Sequence, residues 1–220
     1  MLTFSTINGI QLHFSTPILQ TTWPDASVHN NHLKQMILAA HEQDSGVKIS
    51  NRGGWQSKDD LMDWPGENIA ALKNWIRSCV NHVHSTYSPD TYNEYMAKEG
   101  KNLNIRYQAW ANINRKGDWN STHNHPNCHW SGVYYVQTPA DSGDIGFLDP
   151  RPAINMLDTG VEVLDLYRQT PHRITPKDGM TVLFPSWLQH QVSTHKGEGD
   201  RISIAFNTRF QFANAASGPY

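Results

Sequence analysis

Residues 112–135 read N-I-N-R-K-G-D-W-N-S-T-H-N-H-P-N-C-H-W-S-G-V-Y-Y, a polar, turn-rich loop that runs into an apolar segment. The loop carries His123, His125 and His129 within seven residues. Residues 131–136, S-G-V-Y-Y-V, have the β-branched and aromatic content of a well-buried strand. On a strand, side chains two positions apart point to the same face, so His123 and His125 can bind one metal ion. Such a pair suits iron, zinc, copper or nickel, and a hydrogen-bonded polar cluster is the alternative.

A second polar segment lies far downstream, where residues 184–190 read F-P-S-W-L-Q-H and residues 201–207 read R-I-S-I-A-F-N. His190 supplies a third imidazole that can face the first pair across a barrel. Arg201 and Ser203 share one face of the following strand because they are two positions apart. A guanidinium inside a barrel is costly unless an anion pairs with it, and its planar fork holds a carboxylate through two hydrogen bonds. This segment therefore predicts a metal ligand and a carboxylate-binding site, with a surface salt bridge of Arg201 as the alternative.

Composition narrows the class of protein. The 220 residues carry 18 Lys and Arg against 20 Asp and Glu, which gives no basic surface for nucleic acid or anionic lipid. Two cysteines, Cys79 and Cys128, provide no disulfide framework, which favours a reducing cytoplasm. No apolar run approaches the roughly 18 residues that span a membrane, and the first residues lack the features of a signal peptide. We expect a cytoplasmic protein with no nucleic-acid or membrane partner.

The order of predicted elements separates a helical N-terminal part from a β-rich remainder. Apolar residues at helical spacing predict helices over 31–43, 67–87 and 90–97. Downstream, alternating patterns separated by turn signals predict short strands over 103–114, 130–137, 143–148, 161–169, 180–184, 190–193 and 201–212. Many short strands at this spacing indicate a sandwich or barrel. Between the first two helices, residues 47–57 carry paired glycines and form either an ordinary turn or a flap over a site.

The ordered set of motifs resembles the iron(II)/2-oxoglutarate-dependent dioxygenases. In this sequence H-x-H is followed by a distant histidine and, eleven residues later, by R-x-S. Asn112-x-Asn114-x-x-Gly117, followed by H-x-H, is similar to AlkB-type members, and V-Y-Y-V-Q resembles a strand of prolyl hydroxylases. A closer likeness is to a family of 2-oxoglutarate/Fe(II) oxygenases without a defined substrate. It rests on S-N-R-G-G-W-Q-S, W-A-N-I-N, H-N-H-P-N, S-G-V-Y-Y-V, F-L-D-P-R, F-P-S-W-L-Q-H and R-I-S-I-A-F-N.

This resemblance implies a fold and an activity. The fold is mainly β with flanking helices (α+β): a double-stranded β-helix, that is a jelly-roll or cupin-like core. N-terminal helices would pack on one of its sheets. We expect residues 1–220 to form a single domain, with the helical part at about 30–100 and the core at about 101–212. The implied enzyme is a hydroxylase-type dioxygenase. It would use Fe(II) and O2 and would couple decarboxylation of 2-oxoglutarate to oxidation of a substrate.

The resemblance also assigns residues to roles. Those implied in catalysis are His123, His125, His190 and Arg201, of which the three histidines would hold the metal. Arg201 and Ser203 would bind the far carboxylate of 2-oxoglutarate. Further contacts to this cosubstrate are implied for Asn112, Asn114 and Tyr135; strand alternation lets only one of Tyr134 and Tyr135 face inward.

One departure from the family pattern leaves the third ligand open. His125 stands where the family has a carboxylate. We favour His125 as the ligand, but a carboxylate from Asp118, Asp144 or Asp149, or water beside two histidines, would also complete the site. Two other functions remain as alternatives: a cupin-like three-histidine protein that does not use 2-oxoglutarate, and a non-catalytic binding module. The sequence leaves open the substrate, a small molecule or a peptide, and the oligomeric state, including a homodimer.

Overall fold

The computed structural model describes residues 14–99, 104–152 and 171–210. Its helices are α1 (Ala26–Gln43), α2 (Glu67–Tyr87) and α3 (Pro89–Glu99), with a 3-10 turn at Leu61–Asp63. The strands are β1 (Leu19–Thr22), β2 (Asn51–Arg52), β3 (Trp55–Gln56), β4 (Ile105–Asn114), β5 (Trp119–His123), β6 (Trp130–Gln137), β7 (Ile145–Phe147), β8 (His172–Ile174), β9 (Met180–Pro185), β10 (His190–Val192) and β11 (Arg201–Phe210).

The strands form two antiparallel sheets. One has six strands in the order β1-β9-β6-β11-β4-β3, and the other has five in the order β2-β5-β10-β7-β8. Strands distant in sequence are neighbours in both sheets, as a double-stranded β-helix requires. The predicted class, mainly β with flanking helices, is therefore confirmed. The single-domain boundaries remain a prediction.

The six-stranded sheet has one face turned toward the helices. On β11, Ile202, Ile204 and Phe206 belong to the same buried core cluster as Leu72 and Ile76 of α2. Their alternation with polar neighbours follows the two-residue period of a strand, and the spacing of Leu72 and Ile76 follows the helical period. Each side chain buried in this way contributes about 1.5–3 kcal/mol, so this layer holds the helices on the sheet.

The opposite face of the same sheet carries polar residues in paired rows. β4 and β11 are directly paired over ten residues. Because side chains of opposed residues in an antiparallel pair lie side by side, every second pair projects to the inner face. These inner rows are Asn114 with Arg201, Asn112 with Ser203, Trp110 with Ala205, and Gln108 with Asn207.

Most predicted elements appear within a few residues of their expected bounds. α2 and β6 match their predicted ranges, and α1 begins five residues earlier than expected, at Ala26 rather than residue 31. β5 differs, because the sequence predicted a loop before residue 130. Its polar residues W-N-S-T-H form a strand through pairing with β10 and β2 rather than through apolar burial. The strand predicted over 161–169 lies outside the described residues. None of the described helices combines the length and apolar character needed to cross a bilayer.

Candidate active site

Three imidazoles meet between the sheets. One nitrogen from each of His123, His125 and His190 lies within 4.8 Å of the others, and they form the one such group of metal-competent side chains among the described residues. The ring centroids of His123 and His190 are 4.3 Å apart, and each is 5.1 Å from that of His125. This spacing allows all three to bind a single ion.

Backbone contacts set the orientation of the rings. His123 lies directly opposite His190 in the β5–β10 pair. Nδ1 of His123 is 2.7 Å from the carbonyl oxygen of Ser121, and Nδ1 of His190 is 3.0 Å from that of Leu188. A carbonyl oxygen only accepts, so both Nδ1 atoms carry the proton and both Nε2 lone pairs remain for a metal. The third ring sits on a segment anchored by the His125 N–H, which donates to the Ser186 carbonyl at 2.9 Å.

Burial keeps these imidazoles neutral. Desolvation, aided by the neighbouring His123, lowers the pKa of His125 to about 4. Desolvation, with His123 and His125 nearby, lowers the pKa of His190 to about 3. The pKa of His123 is also lowered, chiefly by burial. Neutral imidazole is the form that binds a metal, so the site is ready for an ion at neutral pH.

The alternative carboxylate ligands lie elsewhere. Asp118 accepts the Arg115 N–H at 2.7 Å, and Asp149 forms an ion pair with Arg151 at 2.6 Å. Neither these residues nor Asp144 belongs to the metal-competent group found in the described part of the chain. His129 also lies apart, where its Nδ1 accepts the backbone N–H of Phe210 at 3.2 Å.

A buried guanidinium stands at the other end of the inner rows. Arg201 is only 4% exposed; it donates from Nη1 to the Ser142 carbonyl and from Nη2 to Asn114 Oδ1, each at 3.0 Å. Its Nε has no hydrogen-bond partner, and no described carboxylate forms an ion pair with it. Burial lowers the pKa of Arg201, opposed by Tyr135 and Asp118. A buried charge of this kind requires an anion, and the Nε–H is one donor left for it.

A cavity of about 60 Å³ joins the imidazoles to the guanidinium. The residues predicted for the cosubstrate line this cavity together with the three histidines: Asn112, Asn114, Tyr135, Arg201 and Ser203. Burial raises the pKa of Tyr135 to about 12, so its phenol stays protonated and able to donate. Tyr134 points the other way and hydrogen-bonds Asn30 of α1. Of the two tyrosines, Tyr135 is therefore the inward one. Asn114 contacts Arg201 directly and helps to orient it.

A larger cleft of about 590 Å³ opens beside the metal-competent group. It shares His123 and His125 with the inner cavity, and the ring of Trp110 lies 5.7 Å from that of His125. The polar residues that line the cleft include Gln56, Gln108 and Asn207. Sequence reasoning missed these three carboxamides. The alternation that starts at Arg201 and Ser203 reaches Asn207 and was a signal that could have found it.

The segment predicted as a turn or a flap forms one wall of this cleft. Val47, Ile49 and Ser50 line it. Gly53 has a φ of 73°, and a Cβ there would lie 2.0 Å from Asp118 Oδ1. Only glycine fits so close to that carboxylate in this conformation, so the wall is held against the start of β5.

Comparisons with known proteins agree with this geometry. Residues 108–207 match the family model described as "Putative 2OG-Fe(II) oxygenase". No curated protein matches the chain. A prolyl-4-hydroxylase from Pseudomonas putida shares the fold with a TM-score of 0.57 at 14% identity, over 90% of this chain and 95% of that one.

Two further structures are similar. A prolyl hydroxylase from Trichoplax adhaerens, in complex with a peptide fragment of hypoxia inducible factor, gives a TM-score of 0.55 at 14% identity over 87% and 82% of the two chains. HygX from Streptomyces hygroscopicus, with nickel, 2-oxoglutarate and hygromycin B bound, gives 0.52 at 12% identity over 88% and 83%. The chain therefore shares the fold of these enzymes, and residues 108–207 are similar in sequence to the 2-oxoglutarate/Fe(II) oxygenase family.

Proposed function

We propose that this protein is a 2-oxoglutarate/Fe(II) oxygenase, which binds Fe(II) through His123, His125 and His190 and binds 2-oxoglutarate through Arg201 and Ser203. The observation that carries the proposal is the buried guanidinium, which has no carboxylate partner among the described residues and shares a cavity with three convergent imidazoles. A protein that only bound metal would have no need for this costly charge, because an unpaired buried ion destabilises the fold.

The donor set fits the expected groups. Imidazole nitrogen suits iron, and a planar guanidinium suits a carboxylate. When bound, the metal, O2 and 2-oxoglutarate supply the oxidising chemistry, in which 2-oxoglutarate becomes succinate and CO2 while the substrate is oxidised. The chain orients these groups: carbonyl-anchored Nδ1–H groups fix His123 and His190, and Asn114 and the Ser142 carbonyl fix Arg201.

The charges of the site favour a dianion. Three neutral imidazoles would leave the full charge of the metal in place, and Arg201 adds one more positive charge. A family member with a carboxylate ligand would have one positive charge fewer. We therefore propose that His125 is the third ligand and that this site holds its dianionic cosubstrate more strongly for it.

Anaerobic titration tests the assignment. We expect the wild type to bind one Fe(II) and then 2-oxoglutarate, and to form succinate slowly in air without substrate. Arg201→Met should keep the metal but lose most affinity for 2-oxoglutarate. A wild type that binds metal without 2-oxoglutarate would support the cupin-like alternative, and one that binds both without turnover would support the binding module.

We also propose a substrate class, a location and a domain organisation for this protein. The Trichoplax relative binds a peptide and HygX binds hygromycin B, so we propose a small-molecule or peptide substrate here, without nucleic acid. Two free cysteines, one buried, fit the proposed cytoplasmic location. We also propose that residues 1–220 form one domain. A homodimer is a further option, and sedimentation of the purified protein measures it.

A further inference from the structure

Of the four rows on the inner face of β4 and β11, the one farthest from Arg201 carries two carboxamides side by side. Gln108 on β4 is directly opposite Asn207 on β11, and both line the 590 Å³ cleft. Opposed side chains in an antiparallel pair have Cβ atoms about 4.5–5.5 Å apart. The two amides can therefore contact the same group of one ligand.

Each amide is held by a hydrogen bond to a neighbouring side chain. Asn207 is 7% exposed, and its Oδ1 accepts from Ser131 Oγ at 2.7 Å. Its Nδ2 donates to no acceptor in the described part of the chain and is not among the buried unpaired atoms, so it is a donor open to the cleft. Gln108 donates from Nε2 to Asp59 Oδ2 at 3.3 Å, which leaves its Oε1 as an acceptor. The row thus presents one donor and one acceptor next to each other.

The cleft lining carries one positive and one negative side chain, which gives it no net charge. Its one lysine and one aspartate in the lining are Lys58 and Asp59. Lys58 lies 3.7 Å from Asp44, and Asp59 accepts from Gln108. The remaining surface is largely apolar and includes Val47, Trp110 and Pro126. The lining therefore offers a charged ligand no net opposite charge to offset its lost hydration, whereas an uncharged polar ligand has less hydration to lose.

We infer that this cleft binds an uncharged ligand by an amide edge, in which a C=O accepts from Asn207 and an N–H donates to Gln108. Two kinds of molecule present this edge: one residue of an extended peptide, whose N–H and C=O point to the same side, and a primary carboxamide or lactam. The inference rests on the proposed function, because it places the ligand beside the metal.

The position of the Gln108–Asn207 row sets how far the bound amide lies from the metal site. Two residues along a strand span about 7 Å, so the Gln108–Asn207 row lies one such step beyond Trp110, which adjoins His125. A ligand held at this row would extend over Trp110 and place a group about one step away within reach of the metal.

Binding of uncharged and charged probes tests the inference. The probes are N-acetyl-alanyl-alanine methylamide for the peptide source, propionamide for the carboxamide source, and free alanine and uridine monophosphate as charged molecules. The protein-observed NMR signal of the Trp110 indole reports occupancy of the cleft with or without Fe(II) and 2-oxoglutarate. Binding of 2-oxoglutarate is measured separately on the same sample, so loss of the proposed function is distinguished from loss of the cleft assignment.

Two variants remove one half of the edge each. Asn207→Asp keeps the acceptor for Ser131 but replaces the cleft donor with an oxygen, and Gln108→Met removes the cleft acceptor. Asn127→Asp makes the same chemical change on an exposed turn residue outside the cleft lining and serves as the matched control.

The expected results are specific. At least one neutral amide should bind the wild type and the control, with affinity about tenfold lower in Asn207→Asp and Gln108→Met, because one hydrogen bond to the ligand is lost. Affinity for 2-oxoglutarate should stay within about twofold in all of them. Preference for the capped dipeptide identifies a peptide ligand, and preference for propionamide identifies a carboxamide. Tighter binding of the charged probes, unchanged amide affinity in both variants, or no amide binding at all would overturn the inference.

Discussion

The two sheets supply different chemistry to one cavity. The five-stranded sheet contributes His123 and His190 from strands of five and three residues, whose rings are fixed by nearby carbonyl groups. The six-stranded sheet contributes the guanidinium and the carboxamides from two ten-residue strands in continuous register. Metal binding thus depends on one short strand pair and nearby carbonyl groups, whereas recognition of organic ligands depends on a ten-residue ladder. Substitutions in the five-stranded sheet should therefore affect metal binding, and those on the inner face of the six-stranded sheet should affect binding of organic ligands.

The largest effect, a loss of metal affinity, is expected from a substitution in the five-stranded sheet. His190→Ala removes an imidazole that is buried and directly opposite His123, so we expect metal affinity to fall more than about a hundredfold and turnover to disappear. Metal content after dialysis measures this. His129→Ala is the control, because this histidine lies outside the metal-competent group. Retention of stoichiometric iron by His190→Ala would contradict the division between the sheets.

A large loss of stability, with metal binding retained, is expected on the helix-facing side of the six-stranded sheet. Phe206→Ala empties a fully buried position between β11 and the helices and should lower the free energy of unfolding by about 3–5 kcal/mol. Urea denaturation measures the change. Arg209→Ala, an exposed position on the same strand, should change stability by less than about 0.5 kcal/mol. If Phe206→Ala lost metal at temperatures where it remains folded, the two sides of the sheet would not be independent.

A smaller and more selective effect is expected at the inner end of β11. Arg201→Lys keeps the charge but loses the planar fork, so affinity for 2-oxoglutarate should fall about tenfold to a hundredfold. Iron binding should be unchanged, since Arg201 is no ligand in our proposal. Thermal shift gives an independent reading: 2-oxoglutarate should raise the melting temperature of the iron-loaded wild type much more than that of the variant. An equal rise in the melting temperature of both proteins would contradict the assignment of Arg201.

A gradual change in stability is expected from pH. Folding lowers the pKa of His125 to about 4 and that of His190 to about 3, from an ordinary value near 6.5. The unfolded chain therefore binds protons that the folded chain excludes as pH falls below about 6.5. Stability of the metal-free protein should be full above that pH and decline by up to about 1.4 kcal/mol per pH unit for each histidine.

Denaturant unfolding between pH 7.5 and pH 5 measures this slope. Replacing one buried imidazole by an uncharged amide, as in His190→Asn, should make the slope shallower. A stability that does not change over this range would mean that the imidazoles are not desolvated as described.

Sequence patterns and the family resemblance predicted residues that line the inner cavity but missed the Gln108–Asn207 row of the larger cleft. Strand alternation, which can be read along the chain, places Arg201 and Ser203 on one face, whereas the resemblance brings His123 and His190 together. The polar residues of β5 predict a loop, and pairing with β10 and β2 makes them a strand. The third ligand stayed open between His125 and three aspartates, since distances across a barrel do not follow from spacing.

The carboxamide row was missed for a related reason. Gln108 and Asn207 are ordinary polar residues on their own, and they gain meaning only from the register that sets them opposite each other. A pattern within one strand indicates which side chains share a face. It does not indicate which residue of another strand they meet, since that depends on the loops and packing that fix the pairing.

Because β4 and β11 are paired continuously, these strands tolerate substitution of single residues but not insertion or deletion of residues. Adding or deleting one residue between Arg201 and Asn207 would move every following side chain to the opposite face of the sheet. Isoleucines would then face the cavity, and polar groups would face the helices. Natural relatives should therefore diversify their ligands by swapping residues at the four rows, while gaps in their alignments fall in the turns.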